Sequence, residues 1–329
     1  MAVRGAVFTL MAIVVAAFIL SSERLATGTF TMTKAEADAA ATRVSIVNVF
    51  VDTFEEHATN VLGTAGYFAL KNISKKIGLE GEYIVDMNHT VEQCLRYNTL
   101  PMGFTSHECL PGVYRLNDSI ELLADLAFSE LGISTQYSIH EIWVDEAEPF
   151  EVRFWMNISY NLSDPLVSWV VKDRILMAAV DVTGIEDPIY EHMIADQNYT
   201  AQRTFAKTRW KHFEFYFEPF KEFYDNGSYA INVQSPSVLY RYVGLLDGSS
   251  CCGVESVVNW SRIPNGIQTH MDAKNWSYID FHFHNRTIFN CGGASGADLL
   301  PFPDHRVRLD RDRILNQFNL TVNASFDCN

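Results

Sequence analysis

Residues 151–161 read EVRFWMNISYN, and their two-residue period decides the fold class. Val152, Phe154, Met156, Ile158 and Tyr160 fall on one side of an extended chain, and Arg153, Trp155, Asn157, Ser159 and Asn161 on the other. This is the pattern of a strand with one face in a core and one toward solvent. Asn157 and Asn161, both in Asn-x-Ser sequences, lie on the outer face, where a glycan has room. Further strands are expected at Tyr137–Val144, Val167–Val182, His212–Phe217, Val238–Leu246 and Trp276–Phe289, with a turn at Asp225, Asn226 and Gly227.

Upstream the period changes. Val47, Val51, Phe54, Ala58, Val61, Ala65 and Phe68 recur at four-then-three spacing, which predicts one apolar stripe on a helix of about 40 residues. Thr33, Lys34, Ala35 and Glu36 have the spacing of a capping box at its start, and it is expected to end near Lys76, before Gly78. Such a stripe is a core face, and its 3.5-residue period also suits helix-to-helix assembly. Helix first and strands later predicts an α+β chain: an N-terminal transmembrane helix, a long amphipathic helix, then a mainly antiparallel, sandwich-like β ectodomain. The expected boundaries are an anchor over 1–22, a linker over 23–34, the helix over 35–76 and a glycosylated, disulfide-stapled β-rich part over 77–329, with a subdivision near residue 200.

Ala6–Leu20, AVFTLMAIVVAAFIL, is uncharged and would reach about 22 Å as a helix, near the lower limit for a membrane span once Gly5, Ser21 and Ser22 are added. Arg4 alone carries charge before Glu23, so the positive-inside preference keeps the N-terminus in the cytoplasm and sends the rest of the chain outside. A cleaved signal peptide is the rival reading, but no small-x-small cleavage site follows Leu20. Arg4-Gly5-Ala6 also resembles the processing site of archaeal pilin-type (class III) signal peptides, with Thr9 and Leu10 where an acidic residue is usual.

The chain has 329 residues, 40 acidic against 25 basic, which leaves a formal charge of −16 beyond residue 22. That balance argues against nucleic acid as a partner, since binding it needs clustered Lys and Arg. Twelve of the 20 asparagines stand in Asn-x-Ser/Thr: Asn72, Asn88, Asn117, Asn157, Asn161, Asn198, Asn226, Asn259, Asn275, Asn285, Asn319 and Asn323. Roughly two or three would arise by chance, so the density implies N-glycans. The cysteines are Cys94, Cys109, Cys251, Cys252, Cys291 and Cys328, an even number beyond the apolar segment with no Cys-x-x-Cys pair, which points to disulfides in an oxidising compartment. Cys94 is expected to pair with Cys109, closing a local loop. Cys251 and Cys252 are expected to bridge separately to Cys291 and Cys328, with a redox-active vicinal bond between them as the alternative.

The apolar RGAVFTL anchor, NVFVDTFEEHATNVLGTAGYFAL, PFEVRFWMNISYNLSDPLVSW, GIEDPIY, SPSVLYRYVG, GVESVVN and WSYIDFHF together resemble a group of uncharacterised membrane-anchored surface proteins of archaea with a pilin-like N-terminal segment. The resemblance implies an extracytoplasmic, membrane-anchored topology and carries over no catalytic residue.

Chemistry-bearing clusters are few. On a strand over Trp276–Phe289, Asp280, His282 and His284 would share one face and offer a His-x-His pair to a metal ion, a weak candidate set. Gly293-Ala294-Ser295-Gly296-Ala297 approaches a nucleophile elbow but reads as a loop. Asp145, Glu146 and Glu148 before Pro149 read as a solvated turn. The expectation is therefore a non-enzymatic, single-pass cell-surface glycoprotein, an envelope, adhesion or pilin-like appendage component, with no cofactor. Its expected partners are the membrane, its own N-glycans, and other envelope proteins or its own copies. A secreted metal-dependent hydrolase and an extracellular glycan- or solute-binding module are the alternatives.

Overall fold

A computed structural model of the chain describes residues 34–100, 108–110, 115–195, 203–209, 217–249, 251–259, 278–284, 297–301, 306–310 and 317–318. The apolar segment, the linker through Thr33, Gly293–Gly296, and the cysteines at 291 and 328 lie outside the described residues. Among the described residues, no helix is long and apolar enough to cross a membrane.

The elements in chain order are α1 (Lys34–Glu80), α2 (Met87–Tyr97), α3 (Leu116–Leu131), β1 (Ser134–Glu148), β2 (Glu151–Ser163), β3 (Ser168–Asp181), α4 (Pro188–Ala195), α5 (Phe217–Asn226), β4 (Ala230–Ile231), α6 (Val238–Tyr242), β5 (Val254–Glu255), α7 (Asp280–His284), β6 (Ala297–Pro301) and β7 (Arg306–Asp310). The chain is α+β. Strands β1, β2 and β3 form an antiparallel sheet in chain order, and β4/β5 and β6/β7 are short antiparallel pairs. Strand β2 buries alternate residues along its whole length, Val152 through Leu162, as its two-residue period predicts.

The residues divide into two compact units interleaved along the chain: Met1–His57 with Leu122–Ser138 and Ser159–Lys172, and Ala58–Glu121 with Ile139–Ile158 and Asp173–Asn329. In the first, Val47, Phe50 and Phe54 of α1 are buried, the Phe54 ring lies 4.9 Å from that of Tyr160, and the Tyr160 hydroxyl donates to Glu55 at 2.6 Å. Arg43 donates to the Asp164 carboxylate and to the carbonyl of Leu131. The same carboxylate accepts the backbone N–H groups of Leu166 and Val167 at 2.8 Å each, fixing the β2–β3 turn. Burial alone would raise the Asp164 carboxyl, but those hydrogen bonds and Arg43 outweigh it and hold it below its ordinary range.

In the second unit the buried residues of α1 are Ala58, Leu62, Ala65, Ala69, Leu70, Ile73 and Ile77, while Val61 and Phe68 are half-buried. A straight helix has 3.6 residues per turn, so a stripe read at 3.5 drifts off the core face within two heptads. Gly66 lies under Phe154: a Cβ there would sit 2.8 Å from the ring. The core of this unit gathers Tyr190, Phe220, Phe223, Tyr224, Ile279, Phe281, Phe283 and Phe318.

Several expected elements differ. The first helix continues through Gly78 to Glu80, and Gly81, at φ 71°, ends it. Among the described residues beyond 77, six helices alternate with the strands in place of a sandwich, and the larger sheet packs against α1 through Phe154. Val238–Tyr242 is a helix because Ser237 caps it, its side chain accepting the N–H of Tyr240. Asp280–His284 is likewise a helix, buried on most sides by aromatic neighbours, so no alternation of burial marks it. Asp225 and Asn226 belong to the last turn of α5 rather than to a free turn, and Asp145, Glu146 and Glu148 lie within β1.

Replacing Gly66 by Ala is expected to overpack the helix–sheet contact and cost about 1–3 kcal/mol in urea unfolding. Adding Phe154→Leu should recover part of that loss, which a double-mutant cycle will measure.

Candidate functional site

Helices α1 and α3 flank an open apolar recess in the first unit. It holds about 580 Å3 and is lined by Ile46, Val49, Phe50 and Thr53 on α1, and by Leu123, Leu126, Ala127, Glu130 and Leu131 on α3, with Ser45 at its edge. The lining reflects the helical period: Phe50 and Ala127 point inward and are buried, whereas Val49 and Leu126 are 63% and 51% exposed. Leu122 and Phe128, at 62% and 66%, extend the apolar surface along α3. The flanks are acidic, with Asp52, Glu56, Asp125 and Glu130 all exposed. Arg43 is the only Lys or Arg between Asp38 and His57 or between Leu122 and Leu131, and it is engaged with Asp164. The chemistry on offer is a hydrophobic slot with negative edges, its polar side chains being those of Ser45, Thr53 and Glu130.

In the second unit the charged groups turn inward. Arg241 on α6 has no access to solvent, and its guanidinium donates to Asp187 at 2.7 Å, to Asp280 at 2.8 Å and to the carbonyl of Val254. Tyr229 donates its hydroxyl to Asp187 at 2.6 Å, and Asp187 also accepts the N–H of Ile189 at the start of α4. Arg203 donates to the Tyr190 hydroxyl, to Ser256 Oγ and to the carbonyl of Val257. Glu255 accepts from Asn232 and Ser235. Burial raises the Asp280 carboxyl despite Arg241, and the two carboxylates hold the Arg241 guanidinium charged against burial. The charged groups of this centre bond mainly to one another and to the backbone, while Arg241 Nε is buried without a hydrogen-bond partner.

That centre decides the metal candidates. Asp280 faces Arg241 instead of an ion, and a five-residue helix, not a strand, carries Asp280, His282 and His284. His284 is buried against the Tyr190 ring at 4.8 Å; burial together with Arg203, Arg241 and His192 pulls its imidazole down to about 3. Among the described residues no group of three or more His, Cys, Asp or Glu is placed to hold a metal ion.

The asparagines of the Asn-x-Ser/Thr sequences separate by environment. Asn88 and Asn226 are exposed, and Asn157 and Asn161 are half-buried on the outer face of β2. Asn72 donates its Nδ2 to the carbonyl of Cys109 at 2.7 Å, Asn117 donates to that of Arg96 at 3.2 Å, and Asn259 is 6% exposed. Asn198, Asn275, Asn285, Asn319 and Asn323 lie outside the described residues. Cys94 is bonded to Cys109 between α2 and the segment 108–110. Cys251 is bonded to Cys252, in place of two separate bridges to Cys291 and Cys328.

Compared with protein families, curated proteins and solved structures, the chain shows no significant match.

Sequence reasoning passed over one residue. Glu146, taken as part of a solvated turn, is half-buried and accepts the N–H of Leu239 at the start of α6 at 3.0 Å. Burial pushes its carboxyl up to about 7, against the pull of hydrogen bonds from Ser237, Leu239 and Val238. The sequence hint was an acid in phase with Ile142 and Val144, the buried side of the strand, which the neighbouring acids at 145 and 148 masked as a turn.

Two outcomes follow for the second unit. Arg241→Ala should destabilise it by about 3–5 kcal/mol, because two buried carboxylates lose their counter-charge. For Glu146 the folded-state value lies above the unfolded one, so its contribution is full below about pH 4.5 and is lost as pH rises to about 7. Urea unfolding across that range should show wild-type stability falling relative to Glu146→Gln by about 2 kcal/mol.

Proposed function

We propose that the chain is a non-enzymatic cell-surface glycoprotein, related to membrane-anchored archaeal envelope proteins and held in the membrane by residues 6–20. Its described portion stands outside the cell, and the groove between α1 and α3 seats an amphipathic helix of a neighbouring envelope protein. The observation that carries this reading is the groove itself: an apolar slot of about 580 Å3 beside exposed Val49, Leu126 and Phe128, edged by carboxylates. Helix-in-groove recognition uses apolar anchors at three- and four-residue spacing, which such a slot accepts. The acidic edges select a helix with Lys or Arg beside its apolar ridge, and they repel a second copy of a chain carrying −15 overall. The density of Asn-x-Ser/Thr sequences and the uncharged N-terminal segment support the surface location.

A photo-crosslinking residue placed at Val49 or Leu126 in the native envelope tests the docking. The expected product is an adduct to a peptide of another envelope protein whose sequence is an apolar helix flanked by Lys or Arg. An adduct to this chain's own α1 or α3 would replace the proposal with self-assembly, and the absence of any adduct would end it. Leu126→Asp should abolish the adduct formed from position 49 while leaving the chain in the membrane fraction.

Glycopeptide mapping tests the surface reading separately. Asn88, exposed and using only its Oδ1 as an acceptor, and Asn226, exposed with a long 3.5 Å contact to Glu222, should carry glycans, whereas Asn72, Asn117 and Asn259 should be bare, because their side chains are half-buried or buried and a glycan has no room there. A chain without glycans at Asn88, Asn226, Asn157 and Asn161 would count against the glycoprotein assignment.

A further inference from the structure

Consecutive cysteines seldom share one environment, and here they do not. Cys251 is exposed, whereas Cys252, bonded to it, has no accessible surface. The loop carrying them is fixed on both sides. Ser249 donates its N–H to the carbonyl of Ser235 at 2.9 Å, Cys252 donates to Ser249 Oγ at 3.2 Å, and Val254 donates to the carbonyl of Pro236 at 3.1 Å. The Gly253 carbonyl accepts the N–H of Asn232 at 2.9 Å, and a Cβ at Gly253 would collide with the carbonyl oxygens of Asn232 and Ser235. A side chain is therefore barred at the position next to the pair, and the backbone there has no room to drift. The Cys251 sulfur is held at the surface, 3.9 Å from the carbonyl oxygen of Glu146. The other bridge has no comparable opening: Cys94 and Cys109 are 0% and 2% exposed.

We propose that Cys251–Cys252 is a thiol–disulfide exchange site that accepts an electron pair from small thiols, with Cys251 as the sulfur attacked and Cys252 as the sulfur that leaves. The thiolate of a low-molecular-weight thiol approaches Cys251 Sγ, the one sulfur of the bond that solvent reaches. As the new S–S bond forms, the Cys251–Cys252 bond breaks, its electron pair departs on Cys252 Sγ, and that sulfur takes up a proton. A second thiol then attacks the small-molecule sulfur of the mixed disulfide and releases Cys251 as a thiol. Two small thiols become one disulfide, and their two electrons and two protons end on the cysteine pair, so the exchange balances without any other oxidant. Run backward, the same steps let the dithiol reduce a small disulfide. Cys252 stays next in the chain to the mixed disulfide, so it closes the Cys251–Cys252 bond again quickly and the intermediate does not accumulate while Cys252 is present. This site is separate from the α1/α3 groove and does not depend on the docking proposed there.

The test uses the full chain in detergent micelles, titrated with reduced glutathione, quenched with acid, alkylated and mapped by mass spectrometry. The Cys251–Cys252 bond should open at a thiol concentration about tenfold below that needed for Cys94–Cys109, following exposure. Incubated instead with oxidised glutathione, Cys252→Ser should accumulate glutathione on Cys251, whose thiolate attacks the glutathione disulfide and releases one reduced glutathione, and Cys251→Ser should leave the buried Cys252 unmodified. The intact Cys94–Cys109 bridge in the same samples reports that the variants remain folded. Three results would overturn the proposal: a map pairing Cys251 or Cys252 with another cysteine, simultaneous opening of both bridges in the wild-type chain, or glutathione reaching Cys252 in Cys251→Ser as fast as it reaches Cys251 in Cys252→Ser.

Discussion

Arg241 sits out of reach of water between the carboxylates of Asp187 and Asp280, and desolvating charges of this kind costs several kcal/mol per ion before any attraction is counted. Further hydrogen bonds meet most of the remaining lone pairs and protons: Tyr229 and Ile189 donate to Asp187, and Val254 accepts from Arg241, while Arg241 Nε is left without a partner. These contacts tie α6, α7, the start of α4 and strands β4 and β5 to one point. A hydrophobic replacement of the whole set would satisfy the same volume, but it would not dictate which helix end meets which strand. The interaction thus specifies an arrangement more than it adds stability.

How far the sequence could be read depended on whether a segment had one wet face. Strand β2 does, and its period of two survives into the structure residue by residue, as does the core stripe of α1 apart from its drift at Val61 and Phe68. Val238–Tyr242 and Asp280–His284 do not. Both are wrapped by aromatic neighbours, so their short apolar runs look the same whether helical or extended, and only the Ser237 cap distinguished the first. The ionic centre was hidden for a different reason. A charged residue within an apolar run, Arg241 in VLYRYVG or Asp280 in SYIDFHF, announces a buried partner but not which one, because the partners lie 39 and 54 residues away. Reading Asp280 as a metal ligand on the polar face of a strand missed both its burial and its pairing with Arg241.

The two candidate surfaces differ in what they demand of the fold. The groove between α1 and α3 needs only two helices in register, held at one end by Arg43 on the Leu131 carbonyl and Asp164, and its α1 side, Ile46, Val49, Phe50 and Thr53, lies beside the apolar stripe read from the sequence rather than on it. The paired sulfurs need an exact backbone path, and nothing in a Cys-Cys dipeptide indicates that path. It is imposed by Gly253 wedged against two carbonyls and by a chain of backbone hydrogen bonds running through Asn232, Ser235 and Ser249.

The separation of Asp187, Arg241 and Asp280 along the chain also bears on the order of folding. The three-stranded sheet joins strands that follow one another directly, so its loops are short and close early. Arg241 spans 54 residues back to Asp187 and 39 forward to Asp280, and loop closure over such distances is slow. As the chain emerges N-terminus first, Arg241 has only one of its two carboxylates until Asp280 arrives. Until then the segment around α6 holds a cation that is better left in water than buried. The ionic centre is complete only once Asp280 has joined Asp187 on Arg241, so a chain cut before residue 280 would leave the buried guanidinium with one of its two carboxylates.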